Sequence, residues 1–172
     1  MIYRLVAALT AVVVVMNLAF AQEAGKDRRS PEERIAEFKR FYKKDRVKVR
    51  RAAVEDFKGV DNLEAAELLV ACFSDKDHEV REIAQEALGT IRDKKAIEWL
   101  LRRARLTNDG ELKARLALSF AGMSHKSIAP TLLGLVRHKV PYVRRNAVVA
   151  LGKQGDAKSS EALIAALKDE KD

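Results

Sequence analysis

The chain has 172 residues and a formal net charge of +8, and only 6% of its residues are aromatic. Its single cysteine excludes an internal disulfide framework, so stability must come from apolar packing. The abundance of Ala, Leu, Glu, Lys and Arg is typical of helical proteins.

Residues 1–21 have the pattern of a secretory signal peptide. Arg4 precedes an apolar run from Leu5 to Phe20, and small residues at Ala19 and Ala21 occupy the positions that a signal peptidase reads. We expect cleavage after Ala21 and a periplasmic or secreted mature protein. The alternative is an uncleaved membrane anchor, although the run is shorter than the roughly 20 apolar residues of a spanning helix.

The next segment predicts a leader and then a helix. Residues 22–30 are polar, which is typical of a flexible leader. Ser30, Pro31 and Glu33 form a pattern typical of a helix start with a capping box. An apolar stripe follows, so residues 31–44 predict a capping helix that covers the open end of the first repeat.

Four similar stretches follow, beginning at Val49, Val80, Lys113 and Val143. Their starts are 31, 33 and 30 residues apart, which predicts stacked helical hairpins. The predicted repeats span residues 45–172, with bounds at about 45–74, 75–107, 108–137 and 138–172.

Aligned positions within the stretches predict how the hairpins pack. An alanine column, where neighbouring backbones would come close, contains Ala53, Ala84, Ala117 and Ala147. An apolar column four residues later contains Phe57, Leu88, Ala121 and Leu151. Gly89, Gly122 and Gly152 come next, where we expect a left-handed residue to end each first helix.

A second amphipathic helix is predicted after each glycine. Its core columns contain Ala65, Ala96, Ala129 and Ser159, and then Leu69, Leu100, Leu133 and Leu163. Asp61, Asp93 and Asp156 stand at or near the starts of these helices, where a carboxylate caps free amides.

The pattern Val-Arg-x-x-Ala-x-x-Ala-Leu-Gly, followed by a turn with Asp and a second helix, resembles HEAT repeats of the phycobilisome-lyase-like type. The segment from Pro141 to Leu167 follows it most closely. The resemblance implies an all-α, right-handed α-solenoid, an armadillo/HEAT-like superhelix of about four helical hairpins. It also implies that each repeat arginine pairs with the aspartate of its own turn. These pairs would be Arg50 with Asp61, Arg81 with Asp93, and Arg144 with Asp156.

No motif predicts a catalytic, cofactor or metal site. The chain has no Gly-rich phosphate loop, no His-Glu-x-x-His and no nucleophile elbow. His78, His125 and His138 fall in turns, where solvent-facing side chains are the alternative to three metal ligands. The HEAT-repeat deoxyhypusine hydroxylases resemble this fold, but their two-metal site needs several His-Glu pairs and only His78-Glu79 occurs. We expect Cys72 to be a packing residue.

Basic residues form the strongest feature outside the core. Eight of the thirteen residues from Lys39 to Arg51 are Lys or Arg, and a second basic set surrounds Trp99. If both sets share one face, they form a positive groove; the alternative is two solvated faces. Trp99 is either an edge-packing residue or a binding anchor. The candidate partner-binding residues are Lys39, Arg40, Lys43, Lys44, Arg46, Lys94, Lys95, Trp99, Arg102 and Arg103.

These features predict a non-catalytic scaffold or adaptor, exported from the cytoplasm, that binds a protein or peptide of acidic character. The alternative is an accessory subunit that docks on an anionic partner or enzyme complex through its basic surface. A more remote alternative is a lyase-like activity, as in HEAT-repeat bilin lyases. Because export removes the usual targets, we expect no nucleic acid partner, and no integral membrane segment after cleavage.

Overall fold

The computed structural model describes residues 29–155 together with residues 160, 163 and 164. The predicted signal peptide over residues 1–21, most of the leader and Asp156 lie outside the described residues. Regular structure in the described residues is entirely helical.

Eight α-helices lie between residues 29 and 155. They are α1 (Pro31–Tyr42), α2 (Val47–Asp56), α3 (Leu63–Ala71), α4 (His78–Leu88), α5 (Lys94–Leu106), α6 (Gly110–Ser119), α7 (Ile128–Val136) and α8 (Pro141–Gln154). Short 3-10 turns at Cys72–Ser74 and Phe120–Gly122 follow α3 and α6. Ser160, Leu163 and Ile164 are also helical. Helices joined by short turns confirm the predicted α-solenoid.

The hairpins stack in two rows. The first-helix row consists of α2, α4, α6 and α8, each packed against the next. The second-helix row consists of α3, α5 and α7, which also pack in sequence. The core lies between the rows, and α1 packs against α2 at the start of the stack. There Phe38 of α1 stacks on Phe57 with 4.4 Å between ring centroids, so α1 covers the apolar side of the first hairpin.

All four members of the alanine column are buried, but one is out of register. Ala53, Ala84 and Ala147 each lie seven residues after the N-cap residue of their helix. In α6 the N-cap is Asp109, so the equivalent residue is Leu116 and not Ala117.

The same shift applies along the third repeat. Phe120 is fully buried in the apolar column, where Ala121 was predicted and is only half-buried. In the second helix Ile128 and Leu132 are fully buried, whereas the predicted Ala129 and Leu133 are half-buried. The N-cap residue fixes where a helix starts. Aligning the four stretches by residue identity placed the start of the third repeat one residue too late.

Gly89, Gly122 and Gly152 do not have the predicted left-handed conformation. Among the described glycines, positive φ occurs instead at Gly59 (84°), after α2, and at Gly155 (68°), which ends α8. A Cβ on Gly122 would lie 2.6 Å from the carbonyl oxygen of Gly89, far inside normal contact. Gly89 and Gly122 therefore allow close backbone contact between the second and third repeats.

The predicted aspartate cap in the turn within a hairpin is confirmed at α5 and wrong at α3. Asp93 caps α5 by accepting the Ala96 amide at 2.8 Å, as predicted. At α3 the cap is Asn62, whose Oδ1 accepts the Ala65 amide at 2.8 Å. Asp61 instead accepts the amides of Arg92 (2.8 Å) and Asp93 (2.7 Å), so it joins the turns of two neighbouring hairpins.

None of the helices in the described ranges has the length and apolar character needed to cross a lipid bilayer.

Gly122→Ala is expected to lower the free energy of unfolding by about 1–3 kcal/mol, because the added methyl group forces apart two backbones. The matched control is Gly134→Ala in α7, where a Cβ would meet no atom within 4 Å. There the substitution removes a helix-interior glycine and should stabilise by about 0.5–1 kcal/mol. Urea denaturation measures both. Equal changes in unfolding free energy for the two substitutions would contradict a close contact between the backbones of Gly89 and Gly122.

Candidate partner-binding surface

The repeat arginines bind the loop that precedes their own helix. In each case Nη1 donates to the carbonyl oxygens six and five residues earlier. The acceptors are Lys44 (3.3 Å) and Asp45 (2.8 Å) for Arg50, Asp75 (2.7 Å) and Lys76 (3.1 Å) for Arg81, and His138 (3.0 Å) and Lys139 (3.3 Å) for Arg144. This shared contact fixes the loop between hairpins.

The expected pairing of the arginines with the aspartates of their own turns is therefore wrong in two repeats. Arg50 and Arg81 lie near the start of their helices, whereas Asp61 and Asp93 follow the other end. A helix of 10 residues is about 15 Å long, which separates these groups. The pair of Arg144 with Asp156 lies outside the described residues.

A buried ion pair joins the first and second repeats. Arg50 binds Asp75 with two bonds, Nε to Oδ2 at 2.9 Å and Nη2 to Oδ1 at 3.0 Å. The Tyr42 hydroxyl donates to the same carboxylate at 2.7 Å. Burial alone would raise the pKa of Asp75, but the bond from Arg50 and other donors hold the pKa below its usual value. Burial also raises the pKa of Tyr42, so Tyr42 stays a neutral donor.

A second carboxylate in the same loop is paired with the neighbouring arginine. Asp77 accepts from Arg51 Nε at 2.9 Å and from Nη2 at 2.8 Å, and it caps α4 through the Val80 amide at 3.0 Å. The bonds from Arg51 and from that amide lower the pKa of Asp77 to about 2. The basic segment around Arg50 and Arg51 is thus partly neutralised across the repeat boundary.

The boundary between the third and fourth repeats has a different composition. Lys113 takes the place of Arg50, four residues after the N-cap, and His138 takes the place of Asp75. His138 Nδ1 accepts the Val140 amide at 3.2 Å, as Asp75 Oδ1 accepts the Asp77 amide at 2.9 Å. Burial lowers the pKa of His138, and nearby Lys113 and other cations lower it further.

The first predicted basic set lies at the end of α1. Lys39 pairs with Glu64 of α3 at 2.6 Å, and the Arg40 guanidinium lies 5.4 Å from the centroid of the Phe41 ring. Lys43 and Lys44 line a depression of about 410 Å³. Its other lining residues are Tyr42, Asp45, Arg50, Ala71, Ser74, Asp75 and Lys76. Arg46 is exposed at the start of α2.

The second predicted basic set is divided along α5. Lys94 and Lys95 lie in the first turn, and Arg102 and Arg103 lie near the last turn, about 12 Å further along the axis. Trp99 is half-buried against the core, as expected of an edge-packing residue, and it also lines a cleft. The structure brings Trp99 and Arg103 together and places Arg102 on the other flank of α5.

The α3–α5 cleft has a volume of about 690 Å³. Val70, Trp99 and Leu112 supply apolar walls. Carboxylates outnumber cations in its lining, so it is not a positive groove. The charged residues are Glu67, Asp75, Asp109 and Glu111 against Arg81 and Arg103.

The α5–α7 cleft has a volume of about 470 Å³ and the opposite charge balance. Its lining consists of Glu98, Leu101, Arg102, Arg105, Leu106, His125, Lys126 and Ser127. Sequence reasoning missed Leu106 and Lys126 in this cleft, and it did not place Arg105 among the partner-binding residues. The spacing of Arg105, three residues after Arg102, is the signal that puts both on one helix face.

The cysteine and two of the histidines were considered as a catalytic group or as metal ligands, and their surroundings are as follows. Cys72 is fully buried, its thiol donates to the Leu68 carbonyl at 3.2 Å, and burial raises its pKa to about 12, as a packing residue requires. His78 Nδ1 lies 3.4 Å from Glu82, and His125 Nε2 lies 4.0 Å from Glu98. Within residues 29–155 no three His, Cys, Asp or Glu side chains gather as metal ligands.

Comparison with known proteins decides the family. A family model described as HEAT repeats matches residues 37–121 and 105–172. The chain belongs to the HEAT-repeat family. HEAT repeats commonly bind proteins, and their presence in this chain suggests a protein-interaction scaffold. A search of curated proteins finds no match.

Among solved structures, the chain is similar to an engineered protein from the Northeast Structural Genomics Consortium, known from a crystal structure. The two share 18% identity with a TM-score of 0.39 over 77% of this chain and 67% of the other.

Asp77→Asn keeps a capping side chain but removes the charge that pairs with Arg51. Because the folded-state pKa of Asp77 is about 2 and its usual value is 3.8, ionisation stabilises the fold above about pH 4. This contribution is lost as the pH falls through about 2. The gap in unfolding free energy between wild type and variant should therefore shrink between about pH 5 and pH 2 in urea titrations. A difference in unfolding free energy that stays constant over this pH range would contradict an ionised Asp77 paired with Arg51.

His138→Asp is expected to raise the unfolding free energy at pH 7 by about 0.5–1 kcal/mol, because it gives Lys113 a carboxylate as Arg50 has in Asp75. Thermal or urea unfolding measures the gain. The control is the same substitution in a Lys113→Met background, where the gain should shrink, since Lys139 and Arg144 remain near the carboxylate. A gain of the same size without Lys113 would show that the pair with Lys113 is not its cause.

Proposed function

We propose that the chain is an exported, non-catalytic scaffold that binds a segment of a partner protein along α5. The proposal follows from belonging to a family that commonly binds proteins and from the two clefts that flank this helix. The partner segment would contact the second-helix row, with Trp99 and Arg103 on one side of α5 and Arg102 on the other.

The observation that carries the proposal is the state of the α5 arginines. The side chains of Arg102 and Arg103 are exposed, and neither side chain makes a hydrogen bond or an ion pair with any described residue. Elsewhere the exposed Lys39 and the half-buried Lys58 are paired with carboxylates of neighbouring helices. Charges without an internal partner beside a cleft are available to an external one.

Trp99 supports the same surface. It is partly buried at the wall of the α3–α5 cleft, beside the apolar side chains of Val70 and Leu112. A large aromatic side chain that is held by the core and still lines a cleft supplies contact area at a low entropic cost. This arrangement reconciles the two roles considered for Trp99, because edge packing fixes the ring and the remaining exposed surface binds.

Export and the character of the partner belong to the same proposal. The apolar run after Arg4 and the small residues before Gln22 support a signal peptide and a periplasmic or secreted protein. The excess of cations supports an acidic partner. The repeat pattern supports the phycobilisome-lyase-like type of HEAT repeat, without any assignment of lyase chemistry.

A second candidate is an accessory subunit that docks through the end of α1. The supporting observation is the depression of about 410 Å³ that contains Lys43, Lys44 and Lys76. Its two carboxylates are Asp75, which is held by Arg50, and Asp45. This depression lacks the apolar walls that Val70, Trp99 and Leu112 give the α3–α5 cleft.

The test is crosslinking in cells with a tagged chain whose N-terminus is first checked to be Gln22. Trp99→Ala with Arg103→Glu should reduce partner recovery about tenfold or more, because an anchor and a charge contact are lost together. Arg145→Glu with Lys153→Glu, at two exposed residues of α8, is the control and should leave recovery unchanged.

Charge reversal at Lys43, Lys44 and Arg46 separates the two candidates. Loss of the partner in this variant, with normal recovery in the Trp99 and Arg103 variant, would overturn the α5 surface in favour of the α1 surface.

A further inference from the structure

We propose that the α5–α7 cleft binds an acidic peptide segment of the partner in which carboxylates flank an apolar side chain. The inference rests on the proposed scaffold function and names the chemical character of the partner segment that binds on one flank of α5. Arg102, Arg105 and Lys126 would bind the carboxylates, and Leu106 with Leu101 would contact the apolar residue.

The charge of this cleft is not balanced by the described residues. Arg102 and Lys126 make no hydrogen bond or ion pair with the part of the chain that the structure describes. Glu98 is the carboxylate in the lining, and it lies 4.0 Å from His125 Nε2. Three permanent cations thus face one acid within a volume of about 470 Å³, which favours a ligand with several negative charges.

Arg105 is held in place by a neutral group. Its Nε and Nη2 donate to the Thr131 hydroxyl at 3.2 and 2.8 Å, and that hydroxyl donates to the Ser127 carbonyl at 2.8 Å. The guanidinium is therefore oriented by α7 while its charge stays uncompensated. An oriented guanidinium loses less conformational entropy on binding a carboxylate than a free one does.

The apolar part of the cleft favours a peptide over other anionic ligands. Leu106 is 73% exposed at the end of α5, next to Arg105, and Leu101, a core residue, also lines the cleft. A leucine at the rim gives an apolar side chain a contact that a sugar–phosphate backbone does not use. Its lining residues include no Phe, Tyr or Trp ring, so a base would have only the His125 imidazole and the guanidinium planes on which to stack.

The second repeat differs from the first at the positions that build the cleft. Counted from the N-caps Asn62 and Asp93, the residues of the first repeat that match Arg102 and Arg105 are Ala71 at the end of α3 and Ser74 in the turn after it. The cations are therefore a local feature of α5 and not a general property of the second-helix row.

The test is fluorescence anisotropy with purified protein and a labelled octapeptide of six glutamates and two leucines. We expect saturable binding that weakens as salt rises. Arg102→Glu with Lys126→Glu should weaken binding about tenfold or more, and a peptide with glutamine in place of glutamate should bind as weakly to the wild type. Arg145→Glu with Lys153→Glu, at two exposed residues of α8 and with the same change in net charge, is the control and should alter affinity less than about twofold.

Single-stranded DNA and vesicles with phosphatidylglycerol serve as competing probes. Binding of either that depends on Arg102 and Lys126 and exceeds that of the peptide would overturn the assignment, as would no glutamate-peptide binding or an equal loss in the control variant. If the peptide fails while crosslinking still depends on Trp99 and Arg103, the cleft assignment is wrong and the scaffold function stands. If both fail, neither stands.

Discussion

Each helical hairpin of this chain buries its apolar face only against its neighbours, and the rest of the structure follows from that constraint. Leu88, Leu116, Phe120 and Leu151, which lie in or directly after the first helices, are fully buried in the core between the two rows. Burial of such side chains contributes about 1.5–3 kcal/mol each relative to exposure, so the row is stable only as a stack. Gly89 and Gly122 allow the backbones to come close enough for this packing.

The sequence predicts the parts of the fold that depend on periodicity and composition. The helical class, the number of hairpins before residue 155 and the buried alanine positions follow from apolar spacing in a chain without strand alternation. The third repeat is misplaced by one residue, since its capping Asp109 could not be recognised by comparison with repeats that start with Val-Arg. A 3-10 turn at Phe120–Gly122 then changes the rotation per residue about the helix axis, which an alignment by residue identity does not detect.

The candidate site is less predictable because it depends on which charges find partners across repeat boundaries. Sequence reasoning pairs Arg50 with Asp61 and counts Arg102 among the partner-binding residues. In the structure Arg50 is paired with a carboxylate in the loop after the next helix, and the Arg102 side chain has no described partner. The difference comes from the loop residue Asp75, 25 positions from Arg50. Net charge therefore indicates an anionic partner only after the internal pairs are removed, and Arg102 and Arg103 of α5 are among the described cations that are left.

The central claim is that a partner binds along α5, and Trp99 is the single tryptophan of the chain. Fluorine NMR of protein labelled with 5-fluorotryptophan gives one signal, from the wall of the α3–α5 cleft. We predict that this signal shifts or broadens when the partner recovered by crosslinking is added. Saturated binding with an unchanged signal would contradict the account.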